Sequence, residues 1–162
     1  MKNITDEEFI NDDYNTLYNN IICHIEKTKN NFETIKEKTL LDIYWKLGEM
    51  LLELGDISEE NLKDFRDNVN KQIEDNTFFR YETTNTHWLK LAKLWVREHS
   101  HHDKKIMLSG SVTWTQWALL LDIVNSAPQR YWLACQTIKQ RWDAITLLRA
   151  AQSLPKEHLN IG

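Results

Sequence analysis

The segment THWLKLAKLWVREH, residues 86–99, combines an apolar side and a basic side in one uninterrupted run. Apolar residues that recur at three- and four-residue steps predict an amphipathic helix, with Asn85 as its N-cap. At about 100° per residue, Lys90, Lys93 and Arg97 fall together on the side opposite the tryptophans. The segment therefore predicts a helix that packs on one side and presents cations on the other.

Helical patterns continue from this segment in both directions. The 162 residues include only four Gly and two Pro, too few turn-forming residues for a β-sandwich or a glycine-rich nucleotide-binding fold. Before the segment we expect two long antiparallel helices, one over residues 6–28 and one with an apolar stripe over residues 32–54, joined by Lys29–Asn31. N-cap signals mark five further helix starts, at Thr5, Ser58, Thr113, Ser126 and Asp143.

These signals predict an all-α fold of about seven helices in a single domain over residues 1–162. The two long helices are followed by a helix-turn-helix or winged-helix-like set. The seven tryptophans are interpreted as core residues rather than as a stacking platform. In the sixth helix the predicted core stripe consists of Tyr131, Trp132, Cys135 and Ile138.

Charge is distributed unevenly along the chain. Residues 1–75 carry 9 Lys/Arg and 18 Asp/Glu, whereas residues 76–162 carry 11 and 6. The net charge of −4 is therefore the sum of −9 and +5. This asymmetry is compatible with a basic end that approaches an anionic polymer. The alternative is two solvated surfaces that differ in composition.

The chain lacks the common catalytic motifs, and we expect neither an enzyme nor a cofactor. Residues 99–103, HSHHD, include metal-ligand residue types, but neighbours in a loop rarely surround one ion, so a hydrated loop is preferred. An acidic-x-Lys triplet, Asp103 to Lys105, has the spacing used by metal-dependent nucleases and is the only trace of such chemistry.

No signal peptide or membrane span is recognisable, because the N-terminus is acidic and no apolar run is long enough. Cys23 and Cys135 have no metal-binding spacing and are interpreted as reduced thiols. We therefore expect a cytoplasmic protein with no membrane partner.

Four blocks of the chain resemble the helical N-terminal domain of YhcG-like proteins, which normally continue into a PDDEXK nuclease domain. Residues 44–49, YWKLGE, resemble the family segment YWEIGK, and residues 112–121, VTWTQWALLL, resemble LSWSHYRELL. The blocks at residues 85–95 and 130–147 resemble the family patterns S-x-x-N-L-x-x-M-R-x-F and R-F-Y…A-I…W-S-x-x-x-L, with Asn85, Ala92-Lys93 and Trp95 at the Ser, Met-Arg and Phe positions of the first. In the second block Gln116, Ala118 and Leu119 replace the polar and charged residues of the family.

This resemblance implies a helical domain that binds nucleic acid or mediates assembly, without the nuclease domain. Our leading prediction is a non-catalytic DNA-binding module. Its expected contact residues are Asn85, Thr86, His87, Lys90, Lys93, Arg97, Arg130, Lys139 and Arg141. The alternative is a protein-interaction module that forms a homo-oligomer or binds a partner through the acidic N-terminal helices. Such a module would be a phage or mobile-element antagonist of a nuclease or host defence complex.

Overall fold

The computed structural model describes residues 14–75 and 83–155, and within residues 14–34 it describes only the side chain of Cys23. These residues form helices and no β-sheet, which confirms the all-α prediction. The helices are α1 (Tyr14–Leu54), α2 (Glu59–Glu74), α3 (Thr86–His99), α4 (Lys104–Met107), α5 (Trp114–Ile123), α6 (Ala127–Gln140) and α7 (Ala144–Gln152).

The prediction of two long antiparallel helices is wrong. One continuous helix, α1, runs for 41 residues from Tyr14 to Leu54 and passes through the expected connection at Lys29–Asn31. That connection contains no Gly or Pro, so nothing in its backbone chemistry ends a helix. The predicted cap at Thr5 lies outside the described residues.

The chain divides into two compact units, Met1–Lys36 and Glu37–Gly162. The boundary lies inside α1, whereas the change from acidic to basic composition after Asp75 lies inside the second unit. The contacts described below belong to the second unit.

Side-chain caps start the helices where the sequence predicts. The side chains of Ser58, Asn85, Ser126 and Asp143 each accept a hydrogen bond from the backbone N–H three residues ahead. Thr113 and Gln116 form the complete capping box at α5. The sequence does not predict the four-residue helix α4. Its N-cap is Asp103, whose carboxylate accepts a hydrogen bond from the Lys105 N–H at 2.9 Å.

An aromatic core lies where α1, α3 and α5 meet. Trp95, Trp114 and Trp117 are fully buried, and Tyr44 stacks on Trp114 with ring centroids 4.1 Å apart. Trp45 meets Trp95 edge-on at 5.0 Å. The interpretation of the tryptophans as core is therefore confirmed for these residues, since planar rings in such contacts exclude water over a large area.

A close backbone contact and a hydrogen bond position α1 against α3 and α5. Gly48 allows a close approach to α3, because a Cβ there would lie 2.4 Å from the carbonyl oxygen of Ala92. Glu37 accepts a hydrogen bond from the Trp114 N–H at 2.7 Å and so adds a carboxylate to the N-terminus of α5.

The predicted core stripe of α6 is wrong at Trp132, whereas Tyr131 and Ile138 are partly buried against the core. The buried residues of α6 are Arg130, Leu133, Ala134 and Thr137, which follow the i, i+3, i+4, i+7 pattern of one helix face. Trp132 instead points outward and is 51% exposed. The sequence favoured Trp132 as a core residue because it is apolar, whereas the structure buries an arginine whose polar atoms are satisfied.

Candidate nucleic-acid interface

The basic face of α3 lies against the junction between α1 and α2. Lys90 Nζ donates to Glu59 Oε1 at 2.6 Å, and Lys93 Nζ donates to the carbonyl oxygen of Gly55 at 2.8 Å. Arg97 is exposed on the same side of the helix. The structure thus brings the three predicted cations to one face, and two of them already bind protein groups.

Polar side chains at the start of α3 also have protein partners. Asn85 Oδ1 accepts from the Trp88 N–H at 2.7 Å as the helix cap. His87 Nε2 lies 2.7 Å from Asp122 Oδ1, and both side chains are exposed. Thr86 is half-buried. The predicted contacts of these residues with DNA remain predictions.

Arg130 lies in the core and not on the predicted basic surface, because its side chain is 2% exposed. Its guanidinium donates to the carbonyl oxygen of Val124 at 2.8 Å and to Glu98 Oε1 at 2.7 Å. Its Nη1 lies 2.9 Å from Nε2 of His99. These bonds hold the end of α3 to the connection between α5 and α6, and they leave no side for a phosphate.

The histidine run is only partly the hydrated loop expected from the sequence. His99 is fully buried as the last residue of α3, while His102 stacks on Tyr131 with centroids 3.8 Å apart. Burial first, and then the Arg130 guanidinium, lowers the pKa of His99 to about 3. His99 is therefore neutral near pH 7, and it accepts the Arg130 hydrogen bond through Nε2.

Helices α5 and α6 are joined by three residues, 124–126. This short connection ends with the cap Ser126, so the first turn of α6 is fixed directly after α5. By the 3.6-residue repeat, one outward side of α6 carries an aromatic ring, three amides and a cation: Trp132, Gln129, Gln136, Gln140 and Lys139.

Positive charge predominates in the segment that contains α6 and α7. Residues 124–155 contain four basic side chains, Arg130, Lys139, Arg141 and Arg149, and one acidic side chain, Asp143. The Asp143 carboxylate accepts the Thr146 N–H at 2.8 Å, and this bond lowers its pKa. The predicted residues Lys139 and Arg141 are exposed, as is Arg149, and so three cations face solvent.

Arg141 has an unusual backbone conformation. It ends α6 in the left-handed region, with φ 55° and ψ 48°, where glycine is the usual residue. The position where glycine is usual at a helix end is therefore occupied here by a residue with a long, positively charged side chain.

Sequence reasoning missed Trp132, the three glutamines and Arg149 as surface residues. The spacing of Arg130, Leu133, Ala134 and Thr137 is the i, i+3, i+4, i+7 pattern of one helix face. If an arginine is accepted as a buried residue, this pattern predicts that the opposite side of α6 is exposed.

Among the side chains that the structure describes, no three of His, Cys, Asp or Glu are grouped to hold a metal ion. The acidic-x-Lys triplet lies at the start of α4, where the Asp103 carboxylate caps the helix. None of the described helices combines the length and the apolar character needed to cross a bilayer.

No protein-family model, curated protein or solved structure matches the chain. The resemblance to the YhcG-like helical domain therefore remains a prediction from four sequence blocks.

Proposed function

We propose that this protein is a non-catalytic DNA-binding module that contacts DNA through the outward side of α6 and the adjoining surface of α7. The observation that carries the proposal is the charge of residues 124–155, in which three exposed cations accompany one carboxylate engaged as a helix cap. Phosphates attract such a surface, and a helix that follows a short turn is a common way to present it.

The proposal moves the main contact surface away from α3. Lys90 and Lys93 would have to exchange Glu59 and the Gly55 carbonyl for phosphates, whereas Lys139, Arg141 and Arg149 are exposed. Arg97 is exposed on α3, but it is a single cation. Polar groups along α6, above all its glutamine amides, can bond to base edges or to phosphates.

Charge reversal tests this surface. The triple variant Lys139→Glu, Arg141→Glu, Arg149→Glu is expected to lose affinity for every duplex sequence. A plot of log K against log salt has a negative slope, and the magnitude of this slope should decrease by about 3, close to one per lost phosphate contact. Fluorescence anisotropy with a labelled duplex at several salt concentrations measures both quantities.

A matched triple variant controls for net charge. Lys38, Lys63 and Lys71 are exposed on α1 and α2, and changing them to Glu alters the net charge equally. This control should keep most of the affinity and nearly the whole salt slope. Equal losses in both triple variants would show that only net charge matters, and the proposed surface would be rejected.

A second candidate function, assembly through α1, is favoured by the spacing of residues in the first unit. Alternating steps of four and three residues separate seven positions of α1: Tyr14, Tyr18, Ile21, Ile25, Thr28, Phe32 and Ile35. This is the heptad repeat by which two helices supercoil around each other, and a second copy of the chain is the partner considered.

Sedimentation equilibrium tests assembly. The wild type is expected to be dimeric at micromolar concentration, and the double variant Ile21→Asp, Ile25→Asp monomeric, because a charge at a core position of the repeat opposes pairing. Asn20→Asp, which lies off the repeat, provides the control. A monomeric wild type would eliminate this candidate.

A further inference from the structure

A shallow surface pocket of about 400 Å³ lies beside the first turns of α6 and is lined by Pro128, Gln129, Trp132 and Leu154. Its volume falls in the range of about 300 to 1,000 Å³ that is usual for small-ligand sites. The lining is apolar except for the carboxamide of Gln129. The pocket therefore offers a hydrophobic surface with one polar group that can both donate and accept a hydrogen bond.

Trp132 differs from the core tryptophans of the chain. Trp45, Trp95, Trp114 and Trp117 are at most 3% exposed, whereas Trp132 is 51% exposed. Leaving half of an indole in water forgoes a large part of the hydrophobic stabilisation that a buried Trp provides. An indole in this position presents a flat aromatic surface to a ligand.

The charged residues of the helices beside the pocket favour an anionic ligand. Neither α6 nor α7 contains an acidic residue, and Lys139 lies on the same side of α6 about two turns beyond Trp132. Arg141 follows directly after that helix. A ligand that combines a flat aromatic group with regularly spaced negative charges matches this surface, and nucleic acid has both features.

The geometry also distinguishes single strands from duplexes. Bases in a duplex are stacked on each other, and their faces are not accessible to a side chain on a protein surface. An unpaired base can place its face on an indole and its edge on a carboxamide. Stacking on Trp132 therefore requires an unpaired base.

We infer that the pocket at Trp132 binds an unpaired base of single-stranded DNA, which stacks on the indole and bonds to Gln129 through its edge. This inference rests on the proposed DNA-binding function and specifies the form of DNA that the same surface prefers. The cations Lys139 and Arg141 contact the phosphates of the same strand, and the base adds a contact that duplex DNA lacks.

Anisotropy titrations with a labelled single-stranded oligothymidylate and with a blunt-ended duplex of two fully complementary strands test the inference. Trp132→Ala is expected to weaken single-strand binding by about 5-fold to 100-fold and duplex binding by less than about 2-fold. Trp132→Phe should restore most of the single-strand affinity, because its ring can still stack. An oligonucleotide of abasic sites should bind wild type and Trp132→Ala equally, because it keeps the phosphates and lacks the bases.

Met50→Ala is the matched control, since Met50 is an apolar side chain on α1 that is 50% exposed, lies outside the proposed DNA-binding surface and does not line the pocket. It should leave both affinities unchanged. The thermal midpoint of Trp132→Ala, followed by circular dichroism, should fall by only a few degrees, because half of the indole is already in water in the wild type.

The outcomes separate the two proposals. If Trp132→Ala binds the single strand as the wild type does, while the triple charge reversal abolishes binding, then base stacking is rejected and DNA binding stands. If the wild type binds neither form of DNA, both proposals are rejected.

Discussion

Arg130 shows how one residue can have a different role from the one its charge predicts. The sequence places it among the phosphate contacts, whereas the fold uses its donors to join the carbonyl oxygen of Val124 to Glu98 and His99. A buried guanidinium is tolerated because its donors are bonded and Glu98 balances its charge.

The variant Arg130→Met is expected to lower the free energy of unfolding by about 3 kcal/mol, because it leaves a buried carbonyl and a partly buried carboxylate without their donor. Urea denaturation measures the loss. Lys139→Met, on the exposed side of the same helix, should be within about 0.5 kcal/mol of the wild type. A stable Arg130→Met protein with weakened DNA binding would instead indicate a role in contacting DNA.

His99 makes stability depend on pH. Its pKa in the folded protein is about 3, whereas the unfolded chain binds the proton with the ordinary value of 6.5. The stabilising effect of the neutral imidazole is therefore fully present above pH 6.5 and is lost as the pH falls from there towards 3. The free energy of unfolding should decrease by up to about 1.4 kcal/mol per pH unit in that window.

Urea denaturation at several pH values, from neutrality down towards the pKa of His99, gives the change in unfolding free energy per pH unit. His102 contributes in the same direction, because burial and the neighbouring His101 lower its pKa as well. His99→Gln removes the titrating group while keeping an oxygen that can accept from Arg130, so a smaller slope is expected. A slope equal to that of the wild type would contradict the assignment to His99.

At the scale of helices, the contact between α1 and α3 depends on one glycine. A methyl group at Gly48 would lie 2.4 Å from the Ala92 carbonyl oxygen and 2.6 Å from Val96 Cγ2, and the first of these atoms is backbone. Gly48→Ala should lower the free energy of unfolding by about 2 kcal/mol, although alanine favours helix more than glycine does.

Thermal unfolding followed by circular dichroism measures this effect. Glu49→Ala is the control, because its side chain is exposed one position further along the same helix. If Gly48→Ala raised the midpoint, the two helices would not be in close contact at this position.

The cap of α5 is a second feature at the scale of helices, and residues 113–116 of the sequence predict it. Thr113 and Gln116 satisfy each other's backbone N–H groups, and Thr113→Ala should lower stability by about 1 kcal/mol. Thr115→Ala, at an exposed position in the same turn, should change stability much less. Chemical denaturation of both variants compares the two threonines directly.

At the scale of the whole molecule, the buried apolar side chains among those that the structure describes extend from Leu41 to Ala151, and these residues belong to the second unit. A fragment of residues 37–162 is therefore expected to fold cooperatively. Its urea midpoint should be close to that of the full chain, since it retains every buried apolar side chain from Leu41 to Ala151. A fragment beginning at Glu49 lacks Leu41, Tyr44 and Trp45 and should not fold.

The same fragment separates the two candidate functions. It keeps α6 and α7 and should bind DNA as the full chain does, whereas it lacks the heptad positions of α1 and should be monomeric. An unfolded 37–162 fragment would show that the first unit is required for the stability of the second.

The sequence by itself determined the all-α class and the starts of five helices, because a cap such as Asn85 or Asp143 bonds to a backbone group three residues away. It could not show that residues 14–54 form a single unbroken helix, because an apolar stripe is compatible with one helix or with two.

Only the tertiary structure decided which polar side chains are available for function. Lys90 binds Glu59 across 31 positions of the chain, and Arg130 reaches Glu98 across 32, so neither pairing is visible in a local pattern. Trp132 is exposed for the same reason, because the satisfied side chain of Arg130 takes the inward side of α6. Short-range hydrogen bonds can be inferred from sequence, whereas the burial and pairing of charges depend on contacts that folding creates.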